Sequence, residues 1–234
     1  TRITSLDSNG NTRCYSDDGD GRDGYVISVT RDGFAVSDTE VRLTKTQTKA
    51  TAALDVALTP KQAGTYVVSV SLDGVSIFGS PANITVTSDE VNATTSGASF
   101  GGGALFGGRV GVERTATLTA RDTNGNVVVS GLSDSTCDAT LSPEFASTAN
   151  ATITCVLTAA SEGLFTVTVK AYDAGSYTLE VKIGGVIAAT RSGITFVPGR
   201  SHAASSTASG TGITSVESGA STTFTVSARD AFGN

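Results

Sequence analysis

Residues 61–77 read KQAGTYVVSVSLDGVSI, and residues 172–188 read YDAGSYTLEVKIGGVIA. In the first stretch Tyr66, Val68, Val70 and Leu72 alternate with Val67, Ser69 and Ser71. A period of two predicts a β-strand with one face in a core and the other in water. The tyrosine follows a glycine turn and heads the longest alternating run. A tyrosine there is expected to bury its ring and bond its hydroxyl to nearby backbone, as a tyrosine corner. Asp73-Gly74 and Gly184-Gly185 are turn signals that fold each run back on itself.

The two stretches are copies. Tyr66 and Tyr177 are 111 positions apart, as are Gly74 and Gly185. A second block occurs three times: TRITSLDSNGN at 1–11, TATLTARDTNGN at 115–126 and TFTVSARDAFGN at 223–234. Its aspartates, Asp7, Asp122 and Asp230, are separated by 115 and 108 positions. A period near 110 is too long for a solenoid repeat of roughly 20–50 residues and fits a whole small β domain. In ATITCVL, Ile153, Cys155 and Leu157 alternate with Thr152, Thr154 and Val156; Phe224, Val226 and Ala228 alternate in the same way. No run has a helical period. Short strands separated by turns every ~8–12 residues predict an all-β fold of tandem two-sheet sandwiches, with no significant helix. The expected divisions are 1–90, a repeat lacking its first strand; 91–199, a complete repeat with a glycine-rich leading segment; and 200–234, the first strands of a third. On this reading the chain is a window on a longer array, and the Asp-x-x-Gly-Asn block is the turn closing each second strand.

Several of these stretches together resemble the immunoglobulin-like repeats of filamins. The shared signatures are ARDTNGN and ARDAFGN at the end of the second strand, AGTY and AGSY at the head of the sixth, and GSP at 79–81 before the last. SGTGI at 209–213, leading into Gly219, Phe224 and Val226, is similar to the opening of such a repeat. The second repeat departs from the pattern: ATRSG at 189–193 replaces GSP, and residues 130–160 match poorly. The resemblance implies seven-stranded immunoglobulin-like sandwiches used as spacers or adhesive modules. It also implies protein partners bound by strand addition at an edge between the third and fourth strands. In this chain that edge corresponds to Tyr25, Ile27 and Val29 with Val41 and Leu43.

Composition narrows the function classes. The 234 residues carry a net charge of −6, with 16% charged residues and 38% hydrophobic ones. There is no Lys/Arg cluster to form a phosphate-binding surface, so a nucleic-acid partner is not expected. No apolar run reaches the roughly 20 residues that span a bilayer. GDGRDG at 19–24 has the glycine spacing of a dinucleotide loop, but no helix is expected after it and three aspartates crowd it. The acidic stretch 17–24 has oxygen ligands for calcium, yet Arg22 and Val29 stand where an EF-hand places ligands. GGGALFGG at 101–108 lacks the Lys-Ser/Thr of a phosphate loop. Its tip residues, Leu105 and Phe106, are candidates for a contact between repeats or chains. The single histidine, His202, lies in a Ser/Ala/Gly stretch without catalytic company. No enzyme, cofactor or metal is expected.

Cys137 and Cys155 lie 18 positions apart in one repeat, with Cys155 on the apolar face of its strand. A bridge there would contribute about 3 kcal/mol through loop closure; the alternative is two buried thiols. Cys14 has no obvious partner. Asn-x-Thr sequons occur at Asn83, Asn92 and Asn150, with Asn92 between repeats and Asn150 in an expected loop. The cysteine pair and the sequons favour an extracellular or cell-surface glycoprotein. The alternative is an intracellular cytoskeletal or ciliary scaffold using the same edge.

Overall fold

The computed structural model describes residues 2–4, 9–10, 25–37, 40–48, 53–100, 107–145 and 149–234. The chain divides into two compact units, Thr1–Ser88 and Asp89–Asn234.

The first unit contains β1 (Arg2–Thr4), β2 (Tyr25–Arg31), β3 (Phe34–Ala35), β4 (Val41–Thr48), β5 (Ala53–Pro60), β6 (Gly64–Leu72), β7 (Val75–Ser76) and β8 (Ala82–Val86). They form two antiparallel sheets. One runs β1-β5-β4; in the other, β3-β2-β6 is extended by β7 and β8, both of which pair with β6. The hairpins β2–β3 and β6–β7 turn on Asp32-Gly33 and Asp73-Gly74, all four residues at positive φ. That backbone matches the strand twist and explains the Asp-Gly pairs. Val56 from one sheet meets Val68 and Val70 from the other, with Tyr25, Ile27, Val29, Leu43, Leu58 and Ile77 packed around them. Strand alternation does this: Tyr66, Val68 and Val70 are buried while the residues between them are more exposed. The Ser80–Pro81 peptide is cis, and β8 starts at the next residue.

The second unit contains β9 (Gly97–Ser99), β10 (Gly108–Arg109), β11 (Arg114–Thr119), β12 (Cys137–Pro143), β13 (Ala151–Ala159), β14 (Leu164–Ala171), β15 (Gly175–Ile183), β16 (Val186–Val197), β17 (Thr207–Ser209) and β18 (Thr225–Ser227). Two four-stranded sheets face each other, in the orders β13-β14-β11-β9 and β10-β16-β15-β12. The leading strand is split: β9 lies antiparallel to β11 in one sheet, and β10 lies parallel to β16 in the other. Between the sheets Leu118, Phe165, Val167 and Val169 pack with Leu179, Val181, Ile194 and Phe196. Tyr177 and Phe196 meet edge to face, with ring centroids 5.8 Å apart. β17 and β18 pair antiparallel and form a small sheet of their own. The helical segments among the described residues are three 3-10 turns of three residues each. None is long and apolar enough to cross a membrane.

Both expected tyrosine corners are present. Tyr66 Oη donates to the Gln62 carbonyl at 2.9 Å, and Tyr177 Oη donates to the Asp173 carbonyl at 2.8 Å. Each ring lies in the core, 1% and 2% exposed. The fold is the all-β, immunoglobulin-like repeat implied by the filamin resemblance.

Candidate functional site

The edge expected to bind partners lies on β2 and β4. β2 pairs with β6 along its whole length, but β3 covers only Thr30 and Arg31 on its other side. β4 is the outer strand of its sheet and pairs with β5. Tyr25, Ile27, Val29 and Leu43 are half-buried against the core cluster, and Val41 is 3% exposed. These five side chains serve the interior. A strand laid on β2 would instead meet its backbone and the alternate residues Val26 and Ser28, Val26 being 61% exposed. The sequence reading selected the apolar face, which alternation sends to the core.

Beside this edge the β2–β3 hairpin borders a cavity of about 340 Å³ lined by Arg31, Asp32, Phe34, Ala35, Val36 and Glu40. Its charges are engaged: Arg31 Nη1 lies 2.7 Å from Glu40 Oε1. Phe34 is 79% exposed at its mouth and was not singled out by sequence reasoning.

In the second unit the corresponding edges are covalently tied. Cys137 on β12 and Cys155 on β13 form a disulfide, with their Cα atoms 5.8 Å apart. β12 and β13 are outer strands of opposite sheets, so the bridge spans the sandwich. Register identifies the matching positions in the first repeat. Cys137 pairs with Ile183 as Tyr25 pairs with Leu72, and Cys155 pairs with Val167 as Lys45 pairs with Val56. Ile183 and Leu72, and Val167 and Val56, are each 111 positions apart. The first repeat therefore carries Tyr25 and Lys45 where the second has its bridge.

The three sequons differ in surroundings. Asn83 lies exposed on β8. Asn150 is exposed, its Nδ2 donating to Asp173 Oδ1 at 3.3 Å. Asn92 is half-buried in an Asx turn: its Oδ1 accepts from the Thr94 N–H at 2.9 Å and from Thr94 Oγ1 at 2.5 Å. Leu105, Phe106, Cys14 and the acidic stretch 17–24 lie outside the described residues. Among the described residues no group of three or more His, Cys, Asp or Glu side chains is placed to hold a metal ion.

The most ordered polar arrangement is the Asp-x-x-Gly-Asn block. Asp122 is 1% exposed and its carboxylate accepts four hydrogen bonds. Three come from within the block, from Asn124 N (2.8 Å), Asn126 N (2.9 Å) and Asn126 Nδ2 (2.8 Å); the fourth comes from Asp89 N, 33 residues earlier (3.1 Å). Burial alone would raise this carboxyl's pKa; the bonds from Asn126, Asp89 and Asn124 outweigh it and hold the pKa below the ordinary value. Asp230 repeats the pattern, accepting from Phe232 N (2.9 Å), Asn234 N (3.0 Å), Asn234 Nδ2 (3.0 Å) and Gly199 N (2.7 Å). Its pKa is lowered for the same kind of reason: burial raises it, and bonds from Gly199, Asn234 and Phe232 prevail.

The flanking bonds repeat too. Asn92 N donates to Arg121 O and His202 N to Arg229 O, both at 2.7 Å. Arg121 Nη1 donates to Gly125 O at 2.7 Å, and Arg229 Nη1 to Gly233 O at 2.6 Å. Sequence reasoning recognised the turn. Not legible there is that each buried aspartate also accepts from the amide of a residue about 30 positions earlier, just before its own repeat begins. His202, exposed, is the counterpart of Asn92 in this network.

The two-sheet order, the tyrosine corners and the duplicated boundary define a tandem immunoglobulin-like repeat protein. Among solved structures the chain is similar to FdeC, an adhesin of Escherichia coli, at 21% identity and a TM-score of 0.57, covering 99% of this chain and 65% of that one. It is similar to InvD of Yersinia pseudotuberculosis at 19% identity and a TM-score of 0.50, covering 100% of this chain and 65% of that one. Invasin, a bacterial integrin-binding protein, matches at 15% identity and a TM-score of 0.50, covering 86% of this chain and 37% of that one. The chain thus spans 65% of the length of each of the first two structures. At these identities the likeness is one of fold. No family model and no curated protein matches the chain.

Proposed function

We propose that the chain is a non-enzymatic structural and adhesive spacer on the outside of a cell. It is built of repeats over 1–90 and 91–199, with the opening strands of a third over 200–234. The observation that carries this reading is the duplicated boundary. The same buried aspartate, arginine and backbone bonds recur about 110 residues apart, as expected of a protein whose unit of function is the repeat. The Cys137–Cys155 bridge supports an oxidising setting, since such bonds persist outside the cytosol and rarely within it. That setting disfavours the cytoskeletal alternative. The likeness to surface adhesins points the same way.

In this reading Asn83, Asn92 and Asn150 are glycan acceptors, and Asn83 and Asn150 are the more accessible two. Protein partners, or neighbouring copies, add a strand along β2 or β4 of the first repeat. There backbone bonds give affinity and outward residues such as Val26 give selectivity. Leu105 and Phe106 are a second contact point.

Biotinylation of intact source cells with a membrane-impermeant amine reagent tests the placement. Labelling of the protein before lysis, together with glycan mass on peptides holding Asn83 or Asn150, is the expected result. Labelling only after lysis, with all three asparagines unmodified, would refute it.

A further inference from the structure

Asn234 ends the third Asp-x-x-Gly-Asn block, yet both polar atoms of its side chain engage the second repeat. Its Nδ2 donates to the Tyr172 carbonyl at 2.9 Å, and its Oδ1 accepts from the Ala174 N–H at 2.8 Å. An asparagine amide used in this way mimics a backbone strand pairing with residues 172–174. The same Nδ2 lies 3.1 and 3.0 Å from the two carboxylate oxygens of Asp230, which fix its orientation. Asp230 in turn holds Gly199, the residue by which the chain leaves the second repeat.

Packing reinforces the polar clasp. The Phe232 ring tilts against Tyr172 with centroids 5.2 Å apart. It sits over Gly111, where an added Cβ would lie 2.6 Å from the ring. Gly111 also has φ +76°, so the site accepts the ring only because this residue has no side chain. The Gly111 N–H donates to Ala171 O at 2.7 Å, which ties the two receiving segments together. Lys170 Nζ stands 5.9 Å from the Tyr172 ring centroid. A tether of residues 198–206 alone would let the next segment swing, which is the ordinary expectation between domains. Here the block adds a bidentate amide, a ring contact and a bond back to the tether.

We propose that the end face formed by Gly111 and Tyr172–Ala174 is a docking surface for the Asp-Ala-Phe-Gly-Asn turn, residues 230–234, at the start of the following repeat. The clamp fixes the direction of successive repeats, so the array is stiff at this joint. Asparagine is needed because aspartate offers no donor to the Tyr172 carbonyl and would face the Asp230 carboxylate with like charge. The proposal concerns the mechanics of the array and stands whether or not the array is adhesive.

Nitrogen-15 relaxation on the full 234-residue chain tests it. Amides of β17 and β18 should share one correlation time with those of β14 and β15, independent of protein concentration. In Asn234→Ala/Phe232→Ala, and in the near-isosteric Asn234→Asp, the two groups should separate. The Ala174 amide should then exchange at least tenfold faster, with β14 and β15 shifts unchanged. Separate correlation times in the parent chain, coupling that appears only at high concentration, or variants that leave coupling and Ala174 exchange unaltered would overturn it.

Discussion

Asp122 shows how much a single side chain does in this fold. Its carboxylate satisfies Asp89, Asn124 and twice Asn126 while lying 1% exposed. Asp122→Ala leaves the two buried Asn126 donors without this partner, and an orphaned buried group costs more than the bond it once made. A loss of about 2–4 kcal/mol is expected, read as a lower urea midpoint. A change within about 0.5 kcal/mol would mean that water replaces the carboxylate freely. The depressed pKa adds a pH dependence. Its folded pKa lies below its unfolded one, so this stabilisation is complete above the unfolded value. It fades as pH falls through the folded value, because protonation then costs the carboxylate its role as acceptor. Urea midpoints should fall with acidification from about pH 5 downward, and Asp122→Asn should flatten that slope. Tyr177→Phe removes one hydroxyl bond at 2.8 Å to Asp173 O, and a loss of about 1 kcal/mol in the same measurement is expected.

At the scale of strands, alternation was legible from sequence and its consequences were partly so. The runs beginning at Tyr66 and Tyr177 announced β6 and β15, their hairpin turns and their corners, because a period of two and a glycine turn are local signals. Two features were not legible. The bond that the Asp89 N–H donates to the Asp122 carboxylate spans 33 residues, and nothing local in either residue predicts it. Nor does alternation say which edge backbone stays open: Tyr25, Ile27 and Val29 read as a binding face, but their shared direction is the core's. The covalent tie between β12 and β13 is the element-scale feature easiest to test. Cys137→Ala/Cys155→Ala removes a closure between residues 18 apart and should cost about 3 kcal/mol, seen as a lower melting temperature. An unchanged melting temperature would show that the unfolded chain is not constrained by the bond.

For the molecule as a whole, the two units differ in how much apolar surface they bury. The second unit packs Leu118, Phe165, Val167, Val169, Leu179, Val181, Ile194 and Phe196 at 1% exposure or less, whereas the first centres on Val56, Val68 and Val70 at 5–8%. Local stability follows such burial. Amides of β6 should therefore exchange with deuterium before those of β14 and β15, and the reverse order would contradict the core assignment. Repetition and the disulfide across the sandwich support the proposed placement of these repeats outside the cell. Peptide mapping of natively isolated protein, alkylated without reductant, tests that claim most directly. A linked peptide pair containing Cys137 and Cys155, with neither thiol alkylated, is the expected result; recovery of both cysteines as alkylated free thiols would overturn the extracellular placement.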